Sequence, residues 1–241
     1  MTQKLKFFIK DCLPPFLLRL YRKIKEPRYH GQLLLDQKME KYLNYENGYF
    51  VELGANDGLR LSNTLYYEKY KNWSGILVEC IYHKYLLCLK NRPKSKTFCN
   101  ACVSFSYKEK FVEVAYSDLM TTPVNLETDV PDTFANSKIG KAFFLPDDDN
   151  INDYCFGAPA ITLNQLLITA KAPNLIDFLS LDTEGSEIEV LKGIDHNKFR
   201  FKYICIECRD MKKMKMYMQS INYLFVEQLT MQDFLFSNNK R

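Results

Sequence analysis

The stretch "GYFVELGANDG", residues 48–58, decides how the chain is read. Its apolar run Tyr49-Phe50-Val51 has the character of a buried strand, and the glycines that follow make a tight turn toward a helix. That is the grammar of a nucleotide-binding crossover. The turn nevertheless carries Glu52 and Asp57, which would repel a phosphate at contact range. The spacing Glu52-x-Gly54-x-x-x-Gly58 also departs from the G-x-G-x-x-G that cradles a pyrophosphate. The ligand expected here is therefore nucleoside-like but free of phosphate.

Outward from this stretch the chain alternates strand and helix. "SNTLYYEKY" is a predicted helix, "GILVEC" a second strand, and "HKYLLCLKNR" a helix stopped by Pro93. "KTFCNACVS" reads as one strand and "KFVEVAY" as another. Residues 117–160 lose periodicity and form a predicted irregular insertion, a candidate acceptor lid. Regularity returns with helix "TLNQLLITA", strand "LIDFLSLD", helix "SEIEVLKGI", strand "YICIEC", helix "MKKMKMYMQS" and strands "YLFVEQ" and "DFLFSN". Met211, Met214 and Met218 are spaced as a core stripe. Strands separated by helices imply an α/β fold with a mostly parallel sheet, whose ligand lies beyond the carboxyl ends of the strands.

Those ends are acidic. Glu52, Gly54, Asn56, Asp57 and Gly58 follow the first strand, Glu79 the second, Asn100 and Ala101 the third. Asp182 closes a fourth, with Glu184 and Gly185 after it, and Glu207 closes a fifth. S-adenosylmethionine (SAM) suits such a rim: it has a sulfonium cation, a zwitterionic tail and free ribose hydroxyls. Glu79 stands about 20 positions beyond Gly58, the separation at which an acid accepts from ribose hydroxyls. The expected cofactor contacts are Glu52, Gly54, Asn56, Asp57, Gly58, Glu79, Asn100, Ala101 and Asp182. Asp182 and Glu184 are the candidate catalytic pair, as base or as oxygen ligands to a divalent ion, set against simple capping of the helix near Ser186. No metal is assigned.

The chain has 241 residues, 46% hydrophobic and 26% charged, enough for one sizeable domain. A formal charge of +4 gives no argument for nucleic acid. The pairs Cys99/Cys102 and Cys205/Cys208 lie in strand-like runs where residues i and i+3 face opposite sides, so neither pair can grip one zinc. Reduced thiols in a cytoplasmic protein are expected. His83 and His196 have no metal-ligand company, and His30 belongs to the N-terminal arm. That arm, residues 1–30, precedes a domain over 31–241. Phe16, Leu17, Leu20, Tyr21 and Ile24 recur at helical spacing among Arg19, Arg22, Lys23 and Lys25. This suits peripheral contact of residues 1–28 with an anionic membrane surface, or packing on protein.

"FVELGANDG", "SNTLYYEK", "NWSGILVE" and above all "IDFLSLDTEGSEIEVLKGI" resemble the FkbM-type methyltransferases, over roughly residues 48–210. The resemblance implies a Rossmann-like class I fold, a seven-stranded sheet with an antiparallel last strand, and SAM as cofactor. It also implies O-methylation of a sugar hydroxyl in surface-polysaccharide or related glycan synthesis, the glycan acceptor being free or lipid-linked. Relatives often have proline where this chain has Cys80. Two other readings compete: a nucleotide-sugar glycosyltransferase using Asp147 and Asp149 of the Asp147-Asp148-Asp149 triplet, and a non-catalytic membrane-recruitment module.

Overall fold

The computed structural model describes residues 27–144 and 154–239. The arm up to residue 26 and the Asp147-Asp148-Asp149 triplet therefore lie outside the described residues. Seven strands form the main sheet: β1 (Tyr49–Leu53), β2 (Ser74–Val78), β3 (Lys96–Phe98), β8 (Leu175–Leu181), β9 (Arg200–Glu207), β10 (Tyr223–Gln228) and β11 (Asp233–Asn238). Their order is β10-β11-β9-β8-β1-β2-β3. β1 pairs in parallel with β2 and β8, while β11 runs antiparallel to both β9 and β10. This is the mostly parallel, Rossmann-like sheet that the sequence implies, antiparallel last strand included.

Both faces of the sheet are covered, which is why its strands read as near-continuous apolar runs. The two-residue period sends Val51 and Leu53 to one face, where they meet Leu163 and Leu167 of α5 (Leu163–Thr169), Leu191 of α6 (Glu187–Leu191) and Met214 and Met218 of α7 (Met211–Ser220). Phe50 faces the other side, against Leu35 and Met39 of α1 (Leu35–Leu43), Tyr67 of α2 (Leu65–Tyr70) and Cys88 of α3 (Tyr82–Asn91). The methionine stripe is thus core. Cys205 packs on one face and Cys208 on the other, so the pair straddles the sheet.

Two expectations need correction. The stretch "KTFCNACVS" is not one strand: β3 ends at Phe98, and the chain steps into a second sheet as β4 (Ala101–Cys102). That second sheet, in the order β4-β7-β5-β6, contains β5 (Phe111–Ala115), β6 (Thr122–Pro123) and β7 (Cys155–Ile161). Residues 117–160 are accordingly not irregular throughout. They hold a 3-10 turn at Asp118–Met120, β6, helix α4 (Thr133–Phe144) and most of β7. Proline and acidic punctuation concealed short elements that are stabilised by pairing with β5, a strand outside the segment. Among the described residues no helix is long and apolar enough to cross a membrane.

Candidate active site

A cavity of about 680 Å³ opens beyond the carboxyl ends of β1, β2, β8 and β9, and one wall comes from the second-sheet layer through Asp118, Met120 and Asn136. The turn after β1 shapes its floor. Gly54 has φ +78°, and a Cβ there would lie 2.2 Å from the Asp182 carbonyl oxygen. Only glycine lets the ends of β1 and β8 approach so closely. Asn56, also left-handed at φ 50°, lines the cavity, and its Nδ2 is buried without a hydrogen-bond partner. The Oδ1 of Asn63, another lining residue, is likewise buried and unpartnered. Together they offer one donor and one acceptor to a ligand.

Glu79 lines the next stretch of wall. Its carboxylate accepts the backbone N–H groups of Asn56 and Ile81, each at 2.8 Å. Burial outweighs these bonds and pushes its pKa up to about 7. Asn100 and Ala101, at the step between the two sheets, line the cavity beside Cys80.

Three predicted contacts are not in the lining. Glu52 points into the protein, where it accepts from Ser62 Oγ (2.9 Å), Asn63 N (2.7 Å) and Thr64 Oγ1 (2.6 Å), with Arg92 Nη1 at 4.0 Å. Glu52 lies within β1, on the face opposite Val51 and Leu53, and its carboxylate is taken up by residues 62–64 and not by the space beyond the strand end. Asp57 is spent on its own turn, accepting from Leu59 N and Arg60 N at 2.8 and 2.7 Å. Gly58 is a glycine because its φ is +77° and a Cβ would stand 2.9 Å from Arg92 Cγ; its carbonyl accepts from Arg92. These residues build the loop that presents Asn56 and Asn63.

At the other end of the cavity Asp182, Glu184 and Glu207 converge, with one oxygen of each within 4.8 Å of the others. Carboxylates so close compete for a proton or share a cation. Burial, then the charges of Glu207 and Glu184, hold Asp182 well above the usual carboxylate range. Burial and Glu207 push Glu184 up to about 7, opposed by Arg209, whose Nη2 donates to Glu184 Oε2 at 2.9 Å. Neither Asp182 nor Glu184 caps the helix, whose N-cap Ser186 has no side-chain cap; Glu187 Oε1 instead accepts from Thr183 N (2.9 Å), Thr183 Oγ1 (3.1 Å) and Gly185 N (3.0 Å) in the loop ahead of it. Glu187 thereby closes the loop after β8. Glu207 and Arg209 were absent from the predicted site; the signal for Glu207 was its place at a strand end.

The profile of the FkbM methyltransferase domain matches residues 52–228, well over half of the chain. The chain belongs to the FkbM methyltransferase family. It is a SAM-dependent methyltransferase, and the residues present fit that cofactor. Glu79 can accept from ribose hydroxyls, and the unpartnered Asn56 and Asn63 atoms can meet the amino-acid tail. No curated protein matches the methyltransferase. Among solved structures it is similar to a putative caffeoyl-CoA O-methyltransferase from Staphylococcus aureus, at 8% identity over 99% of this chain and 98% of the other, with a TM-score of 0.46. It is also similar to M. capricolum TrmK in complex with S-adenosylhomocysteine (SAH), at 12% identity over 85% and 68% of the two chains, with a TM-score of 0.40. Membership of a methyltransferase family displaces both the glycosyltransferase and the non-catalytic readings.

Proposed function

We propose that the enzyme methylates a hydroxyl group of a sugar or glycan acceptor, in surface-polysaccharide or related glycan synthesis. The observation that carries this reading is the group of half-buried carboxylates Asp182, Glu184 and Glu207 at the cavity end away from Glu79. A sugar hydroxyl is a poor nucleophile at neutral pH, and a carboxylate whose pKa is raised to about 7 is a competent base for it. SAM supplies an activated methyl group when bound; the protein aligns the acceptor and receives its proton. Gln232 and Arg209 add donors to the same end, matching a ring that presents several hydroxyls.

The test is transfer of labelled methyl from SAM to fractionated cell glycans, with release of an O-methyl sugar on hydrolysis. Asp182→Asn, close to isosteric, is expected to lower turnover by ~10²–10⁴-fold with SAM affinity within a few-fold. Label recovered in protein, RNA or an amine would overturn the acceptor class. Full turnover in Asp182→Asn would remove Asp182 from the chemistry. Restoration of chelated enzyme by magnesium or manganese would replace the base with a metal-assisted step.

The reading extends to location. The basic, apolar arm of residues 1–28 suits the cytoplasmic face of an anionic membrane, beside a lipid-linked acceptor. Flotation with anionic liposomes is expected to fall with salt and with deletion of residues 1–28. Flotation unchanged by the deletion would assign the arm to packing instead.

A further inference from the structure

Glu184 sits on a strained turn. Its φ is 55° and that of Gly185 is +105°. Such backbone persists only where neighbours over-determine it. The neighbours come from the second-sheet layer: a Cβ on Gly185 would lie 2.5 Å from Thr128 Oγ1, 2.7 Å from Val130 Cγ2 and 2.9 Å from Asp129 Oδ1. Asp129 itself makes four connections. Its N–H donates to the Gly185 carbonyl at 3.0 Å. Its Oδ2 accepts the backbone N–H groups of Arg209 (2.6 Å) and Asp210 (3.3 Å), and its Oδ1 lies 3.5 Å from Arg209 Nη1. Arg209 in turn holds Glu184. One residue outside the cavity lining thus ties together the loop after β8, through its backbone N–H, and the loop after β9, through its carboxylate.

We propose that Asp129 is a positioning residue for methyl transfer, acting by fixing Arg209 and, through it, the direction of the Glu184 carboxylate. The proposal rests on the reading of Asp182 and Glu184 as the groups that face the acceptor. Asp182, Glu187 and Glu207 are the other charged groups around Glu184, all acidic, and Arg209 is the cation set against them. If Arg209 drifts, Glu184 both loses its direction and holds its proton to higher pH.

The test uses the full chain with bound SAH, and the variants Asp129→Ala and Asp129→Asn. Carboxyl-labelled glutamate gives an NMR titration of Glu184, assigned with Glu184→Gln. In Asp129→Ala the Glu184 midpoint is expected to move upward while SAH affinity by calorimetry stays within about twofold of wild type. Turnover on the labelled glycan fraction is expected to fall by about 10²-fold, the cost of a misplaced group, and its acid limb to shift to higher pH. Asp129→Asn keeps an oxygen for the Arg209 backbone N–H and is expected to lie between. An unchanged Glu184 midpoint in Asp129→Ala, or in Asp129→Asn should the alanine variant fail to fold, overturns the proposal. If wild type labels no glycan fraction, the acceptor reading fails, and the NMR midpoint still decides the role of Asp129.

Discussion

Glu52 and Glu79 are both buried acids near the ends of adjacent parallel strands, and their different fates show what residue type alone leaves open. Glu79 follows the last residue of β2 and lines the cavity, whereas Glu52 lies inside β1 with its side chain turned inward. Glu52 pairs in register with Leu77, so Glu79 stands two residues further along on the same face; its place beyond the strand end, not parity, puts it in the cavity wall. Glu79→Ala is expected to weaken SAM by ~1.5–3 kcal/mol, the scale of hydrogen bonds to a charged group. Glu52→Gln is expected to leave SAM affinity within a few-fold and to lower unfolding free energy by about 1–3 kcal/mol, because Ser62, Thr64 and the Asn63 N–H lose a common charged acceptor. Calorimetry and urea melts on both variants check this; the reverse pattern would return Glu52 to the cofactor site. The positions of Asp182, Glu184 and Glu79 in the cavity wall were legible because strand-terminal acids stand out. Arg92, fully buried and bonded to Gly58, Ser62 and Thr64, was not, because nothing local marks a buried arginine that closes a loop.

Legibility at the scale of elements followed length and burial. Strands β8, β10 and β11 and helix α7 were read to within a residue of their ends, and β9 from Tyr203, three residues late, since each carries its own periodicity and punctuation. The elements that escaped are short or depend on partners. β4 and β6 have two residues each and exist only through pairing with β7 and β5. The break between β3 and β4 also changes the geometry assumed for Cys99 and Cys102. Cys99 lies past the end of β3 near the Cys80 carbonyl, while Cys102 joins the core beside β1 and β2. The two thiols remain in different surroundings, by a change of sheet and not by alternation along one strand. α1, ahead of the first assigned strand, is recognisable in retrospect from Leu35, Met39 and Leu43, buried at successive turns. The second-sheet layer is the larger loss, since it supplies Asp118, Met120 and Asn136 to the cavity and Asp129 to the loops behind it.

The whole molecule concentrates uncompensated acid in one place, and this gives its stability a direction with pH. Burial raises the carboxyl pKa values of Glu52, Glu79, Asp182, Glu184 and Glu187, with Glu79, Glu184 and Glu187 reaching about 7. Between the ordinary carboxylate range and about 7, the folded chain keeps protons on these groups that the unfolded chain has released. Stability therefore falls as pH rises through that window. Glu40, Glu127 and Glu227 have the opposite sign: hydrogen bonds from Tyr29, Lys192 and Lys41 lower their pKa values, so their contribution disappears as pH falls below the ordinary range. The ligand-free enzyme is thus expected to be most stable near about pH 5 and to lose melting temperature toward about pH 8. SAM should reverse part of that loss. Ionised Glu79 would accept from its ribose hydroxyls and its positive charge would favour the ionised form of the neighbouring acids, so binding would draw protons off the site. The rise in melting temperature at fixed SAM is expected to grow with pH over the same window, and to grow less with SAH, which lacks the sulfonium charge. Scanning calorimetry of free, SAM-bound and SAH-bound enzyme across the window decides it. A ligand-free melting temperature that climbs toward neutral pH would mean that the acids at the strand ends are ionised in the empty site, and that Glu184 has no pKa near neutrality to lend to catalysis.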